Sequence, residues 1–158
     1  MADTRGRVWG GDRTLAQTLA LVFGAAFLLV GILGFIPGIT SNYDELDFAG
    51  TDSQAELFGI FQVSILHNIV HLLFGVGILL SRTHDGARSY LLGAGVLYAI
   101  LFLYGLFVGD DDDANFVPMN DGDDWLHLVL ALGLLGSYFL TGRDRDYAGR
   151  RDTPETMP

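Results

Sequence analysis

The stretch LFGIFQVSILHNIVHLLFGVGILL, residues 57–80, decides the fold of this chain. It contains no Asp, Glu, Lys or Arg, and it is longer than the roughly 20 apolar residues that a helix needs to cross a bilayer. His67, Asn68 and His71 nevertheless lie near its middle. Because polar groups at that depth are costly unless they find partners, the stretch predicts a membrane helix around which other apolar segments pack.

Three further blocks of the sequence have the same apolar character. Hydrophobic residues make up 50% of the chain, and they are gathered into these blocks rather than spread evenly. This distribution predicts an all-α fold, a four-transmembrane-helix bundle within residues 15–142. The fourth block is short and reaches the required length only with some tilt or local thinning of the bilayer. The predicted spans are about 15–36, 57–80, 90–108 and 125–141.

The positive charges are distributed unevenly between the predicted loops. All nine cationic side chains are arginines, and none lies in the loops 37–56 and 109–124, which hold most of the acidic residues. Under the positive-inside rule, this pattern predicts a multi-pass protein of the cell membrane with both termini in the cytoplasm and the two acidic loops outside. The arginines are Arg5, Arg7, Arg13, Arg82, Arg88, Arg143, Arg145, Arg150 and Arg151.

The ends of the chain and its composition narrow the classes of function. Residues 1–14 read as a cytoplasmic N-terminal segment, and residues 143–158 as a disordered cytoplasmic tail with too little apolar surface to fold alone. The absence of cysteine excludes disulfides and thiolate metal sites. The sequence has no basic patch that could bind nucleic acid. No nucleotide loop, nucleophile elbow or HExxH motif is present, so a non-enzymatic role is favoured over an enzymatic one.

The polar residues of the second span share one helical face. Ser64, His67, Asn68, His71 and Gly75 follow the i, i+3, i+4, i+7 spacing, which places them on the side that points into the bundle. If the helix starts at position 57, the two histidines lie roughly 15 and 21 Å along it, near the middle of the bilayer.

Two tyrosines of the third span match these depths. Counted in the opposite direction, Tyr98 lies level with His71, and Tyr104 lies level with His67. We therefore expect at least one hydrogen bond from a tyrosine hydroxyl to a histidine or to Asn68.

The polar face has two interpretations. It can serve interhelical packing, or it can be a functional site that binds haem, quinone or a proton, because ionisable groups inside a membrane are candidates for function. Haem with two axial histidines needs them on different helices at one depth. His127 lies only about 3 Å below the outer end of its predicted helix, so haem would require His71 to meet its counterpart in a homodimer.

A second candidate site lies at the outer surface. Asp123 and Asp124 come four and three residues before His127, so a carboxylate can orient that imidazole. With the run Asp110–Asp113, these oxygen ligands could hold a divalent cation. The alternative is a solvated acidic loop, since consecutive aspartates repel one another.

Four motifs of the chain resemble a known family. GFIPGIT (34–40), LHNIVHLLFG (66–75), YLLGAGVLYA (90–99) and WLHLVLALG (125–133) are similar to a bacterial, mainly actinobacterial, four-span integral membrane family of unknown function (domain of unknown function 4383). The resemblance covers nearly all of residues 15–140 and implies a four-helix membrane protein, but no substrate, cofactor or catalytic residue. The matching positions are Gly34, Pro37, Gly38, His67, Asn68, His71 and His127.

Together these observations favour a non-enzymatic structural or partner-binding membrane component. Its partners would be the lipid bilayer and either a second copy of the chain or another membrane protein. The alternative is a redox or ion- and proton-handling protein that uses the face formed by His67, Asn68 and His71.

Overall fold

The fold is mainly helical, as the sequence predicts, but it also contains a small sheet. The computed structural model describes residues 13–108 and 114–143. The run Asp110–Asp113, most of the N-terminal segment and the tail after Arg143 lie outside the described residues. The helices are α1 (Leu15–Leu33), α2 (Ile65–Phe74), α3 (Gly77–Leu80), α4 (His84–Phe107) and α5 (Asp121–Leu140).

Each long helix begins at a polar side chain that caps its first turn. Thr14 accepts a hydrogen bond from the backbone of Gln17 ahead of α1, and Thr83 does so from Gly86 ahead of α4. Asn120 forms a reciprocal capping box with Asp123 at the start of α5. Because these caps precede the apolar runs, α4 and α5 begin several residues earlier than the predicted spans.

The second predicted span is the main difference from the sequence-based expectation. The helix begins only at Ile65, where Ser64 accepts a hydrogen bond from the His67 amide at 3.1 Å. The preceding residues form strands β2 (Glu56–Leu57) and β3 (Phe61–Gln62), and β2 also pairs with β1 (Thr40–Ser41). The mainly helical character of the fold is therefore confirmed, and the small sheet is a feature that the all-α prediction did not include.

Residues 37–64 form a hydrogen-bonded segment, which we call the cap, at the end of the bundle where α2 and α5 begin. Inside the cap, the Ser53 hydroxyl donates to the Val63 carbonyl at 2.6 Å, and the Gln62 amide group donates to the Ser53 carbonyl at 2.7 Å. The cap is joined to α5 through the Asn120 side chain, which donates to the Ile60 carbonyl at 2.9 Å. These bonds give the cap a defined structure, which its sequence did not predict.

Glycines allow α1 to lie directly against α2 and α3. A Cβ added at Gly24 would fall 2.6 Å from the Ile78 amide nitrogen, and one at Gly31 would fall 2.8 Å from the Leu72 nitrogen. Only a residue without a side chain permits this backbone contact. α1 also packs on α4, and α4 packs along α5, which completes the bundle.

Two of the described helices, α1 and α4, are long and apolar enough to cross a membrane. α2 and α3 together form a shorter apolar helix, Ile65–Leu80, interrupted by a turn at Gly75 and Val76. Exposed large apolar side chains occur on every one of these helices and on α5. Examples are Val22, Leu29, Leu73, Leu79, Val96, Ile100, Val129 and Leu132.

Candidate functional site: a buried histidine cluster

Three histidines and one asparagine lie together in the core, and we call them the histidine cluster: His67, Asn68, His71 and His127. All four side chains are buried. The rings of His67 and His71 have centroids 4.6 Å apart, and His67 and His127 are 6.5 Å apart. The sequence analysis grouped the members from α2 correctly but separated His127 from them.

The start of α2 explains why His127 joins the cluster. Counted from Ile65, His71 lies about 9 Å along its helix, and His127 lies about 9 Å along α5 from Asp121. Both helices begin at the cap, so the two histidines are level. The earlier depth estimate failed because it counted the β2–β3 hairpin as helix.

Aromatic rings of α1 and α4 enclose the cluster. Phe27 and Tyr98 stack with centroids 5.2 Å apart and an interplanar angle of 8°. Phe27 lies 5.9 Å from the His71 ring, and Tyr98 lies 5.3 Å from the His127 ring. A haem group beside these histidines would have to displace this stack. The sequence analysis did not identify Phe27, because nothing in an apolar span distinguishes one phenylalanine from the others.

Five buried polar atoms of the cluster lack hydrogen-bond partners within the part of the chain that the structure describes. These atoms are Nδ1 of His67, His71 and His127 and both amide atoms of Asn68. The His67 ring, in contrast, has backbone hydrogen bonds with Gln62 of the cap and with Pro118 of the segment before α5. A buried polar group without a partner costs about 1–3 kcal/mol, so the cluster is a costly arrangement for packing alone.

The two tyrosines do not form the hydrogen bonds that the sequence predicted for these atoms. Tyr98 is buried beside the cluster, as its depth suggested, but it meets His127 through its ring. The Tyr104 hydroxyl donates to the Ala114 carbonyl, and its ring contacts Phe116. Tyr104 therefore contacts the segment before α5 rather than Asn68 or the Nδ1 atom of a cluster histidine.

The acidic candidates at the start of α5 have structural contacts. Asp123 Oδ2 accepts from the Gln62 amide at 2.9 Å and from the Asn120 amide at 3.2 Å, which ties α5 to the cap. The Asp124 carboxylate lies against Gly105 of α4. Among residues 13–108 and 114–143, no group of three or more His, Asp or Glu side chains is arranged to hold a metal ion.

Comparison with known proteins identifies the family and no better-characterised relative. No curated protein and no solved structure matches the chain. The model of a family described as a domain of unknown function (DUF4383) matches residues 17–140, which include all four members of the histidine cluster. The chain belongs to this family of proteins with a domain of unknown function.

Proposed function

We propose that this chain is a four-span integral protein of the cell membrane and that it acts as a non-enzymatic structural or partner-binding component. The observation that carries the proposal is the exposure of apolar side chains around the helices. In the apolar 18-residue stretch of α1 and in that of α4, only 28% is buried inside the protein. The core helix of a soluble protein would be mostly buried, whereas a lipid-facing helix leaves such surface to the acyl chains.

The arrangement of polar residues supports the same proposal. His67, Asn68 and His71 point into the bundle, while the opposite faces of the helices carry exposed Leu, Ile and Val. Polar groups inside and apolar groups outside are what a bilayer requires. α5 has the length of a span, and Ile65–Leu80 is short enough to need a thinned bilayer on that side.

Single-cysteine labelling tests the topology, and the chain has no native cysteine to remove. We expect Asp52→Cys in the cap to react with a membrane-impermeant maleimide on intact cells. Arg82→Cys, between α3 and α4, should react only after the membrane is opened. Labelling of both sites on intact cells, or labelling of Arg82→Cys alone, would contradict the orientation with cytoplasmic termini.

A partner-binding role predicts that the chain forms a defined assembly. The mass of the detergent-solubilised protein, measured by light scattering, should then correspond to a homodimer or to a complex with another membrane protein. A strictly monomeric protein that recruits nothing in its native membrane would contradict this part of the proposal.

The unpartnered atoms of the histidine cluster favour a second candidate function, the handling of a proton, a cation or a redox group. Three imidazole nitrogens, which have no partner among the described residues, can bind water, a proton or a ligand. The first measurement is the visible spectrum of purified protein before and after dithionite, since a band that shifts on reduction would reveal haem.

Flux measurements in vesicles test proton handling. A pH-sensitive dye inside proteoliposomes should report proton entry with the native chain and less entry with His71→Phe. His84→Gln is the matched control, because His84 bonds Thr14 and belongs to a different part of the bundle. Equal entry with and without protein would exclude this candidate.

A further inference from the structure

The tip of the β2–β3 hairpin places two exposed apolar side chains side by side in the cap, where Phe48 is another exposed apolar residue. Phe58 is 56% exposed, and Ile60 is 55% exposed. They flank Gly59 in the turn that joins the two strands. The exposed residues elsewhere in the cap include the acidic side chains Asp44, Glu45 and Asp52.

The backbone conformation of this turn disfavours an aromatic residue at position 58. Phe58 has φ 57° and Gly59 has φ 69°, and the Ile60 amide donates to the Leu57 carbonyl at 3.2 Å. The two central positions of this turn both have positive φ, a conformation for which Asn and Gly are strongly preferred. A bulky aromatic residue in the left-handed region is strained, and strain of this kind is retained where a side chain has a function.

The position of the tip indicates what it touches. A Cβ added at Gly122 would lie 3.2 Å from the Ile60 carbonyl oxygen, so the tip lies directly over the first turn of α5. Gly122, Trp125 and Val129 follow the i, i+3, i+7 spacing and share one face of α5. Trp125 is 67% exposed, and the exposed apolar surface continues through Val129.

We infer that the Phe58–Ile60 tip inserts into the bilayer interface and extends the lipid-facing surface of α5. The inference rests on the proposed membrane-spanning function, because it is the lipid around α5 that would reach the tip. Aromatic side chains are favoured at the level of the lipid headgroups, where Trp125 would lie beside the tip. The exposed acidic side chains of the cap, Asp44, Glu45 and Asp52, would then stay in water.

Tryptophan fluorescence in bilayers tests the inference. The full-length chain with Trp9→Phe and Trp125→Phe provides a background without tryptophan. Single probes are then introduced as Phe58→Trp at the tip, Asp52→Trp elsewhere in the cap, and Val129→Trp in α5. Each protein is reconstituted in phosphatidylcholine vesicles with and without acyl chains brominated near the headgroup, and thermal unfolding confirms that it folds.

The expected result is loss of Phe58→Trp emission in brominated vesicles and a blue shift relative to Asp52→Trp, which should keep its emission. A Phe58→Trp probe that behaves like Asp52→Trp, while Val129→Trp is quenched, would overturn the inference and leave the membrane proposal intact. A blue-shifted but unquenched Phe58→Trp would show that protein covers the tip and would also overturn it. If Val129→Trp escapes quenching, the membrane proposal itself fails.

Discussion

His67 on α2 and His127 on α5 lie with ring centroids 6.5 Å apart, although they come from opposite halves of the chain. The proximity depends on α2 starting at Ile65 and α5 starting at Asp121, since these starts place His127 level with His71, which lies one turn after His67 on the same face of α2. The cap joins the beginnings of both helices, so it determines the geometry of the histidine cluster as well as covering it.

Removing the unpartnered amide of Asn68 should stabilise the protein. Asn68→Leu is nearly isosteric and eliminates two buried polar atoms that make no hydrogen bond with any described residue. We expect the free energy of unfolding to rise by about 1–3 kcal/mol, which corresponds to the cost of an unsatisfied buried group. Thermal unfolding of the detergent-solubilised chain measures the change. A lower unfolding temperature would show that the amide has a partner, such as bound water or a ligand.

Adding a methyl group at Gly34 should destabilise the protein through Asn68. A Cβ at this position would overlap the Asn68 side chain, and overpacking of a core costs about 1–3 kcal/mol. The double variant Gly34→Ala with Asn68→Ala should recover most of the loss, because the second change removes the clash. Additive effects of the two changes would contradict the contact.

A helical glycine with free space provides the control for Gly34→Ala. A Cβ at Gly93 of α4 would meet no atom within 4 Å. Gly93→Ala should therefore leave stability unchanged or raise it by about 0.5–1 kcal/mol, since alanine is the better helix former. A comparable loss at both glycines would mean that the effect is general rather than specific to Asn68.

Substitutions at two neighbouring residues of the hairpin tip should change the stability of the protein in opposite directions. Phe58→Asn should stabilise the detergent-solubilised chain by about 1 kcal/mol, because asparagine tolerates positive φ where phenylalanine is strained. Gly59→Ala should destabilise it by about 1 kcal/mol, since alanine does not adopt φ 69° without strain. Thermal unfolding checks both, and the same sign for both changes would contradict the assigned turn.

The sequence predicted the main helices well because their signal is strong and long. Unbroken apolar runs identified α1 and α4, and the helical spacing of His67, Asn68 and His71 identified the face that is buried. Tyr98 was also expected at the level of this face. These features follow from periodicity and length, which tertiary contacts rarely override.

The cap and the position of His127 were missed for one physical reason. Hydropathy does not distinguish an apolar strand pair from the start of an apolar helix. Residues 57–63 are mostly apolar, so their composition fits either conformation. Two local signals were present, Ser64 as a helix cap and the Asn120-x-x-Asp123 capping box. If α2 and α5 are started at these N-cap residues, Ser64 and Asn120, His127 is predicted to lie level with His71.

Loss of the Asp123 carboxylate should weaken the attachment of the cap to α5. In Asp123→Ala, the amides of Gln62 and Asn120 lose their shared acceptor, and hydrogen bonds to a charged group contribute about 1.5–3 kcal/mol. We expect a corresponding fall in the free energy of unfolding, and faster hydrogen exchange at the Gln62 amide. Asp121→Ala is the matched control, because Asp121 lies in the same first turn but is exposed, and its interaction with the helix dipole contributes only about 0.3–1 kcal/mol. Equal losses in the two variants would mean that Asp123 acts only through its charge at the start of the helix, and the Asn120–Ile60 hydrogen bond would then be the attachment that matters.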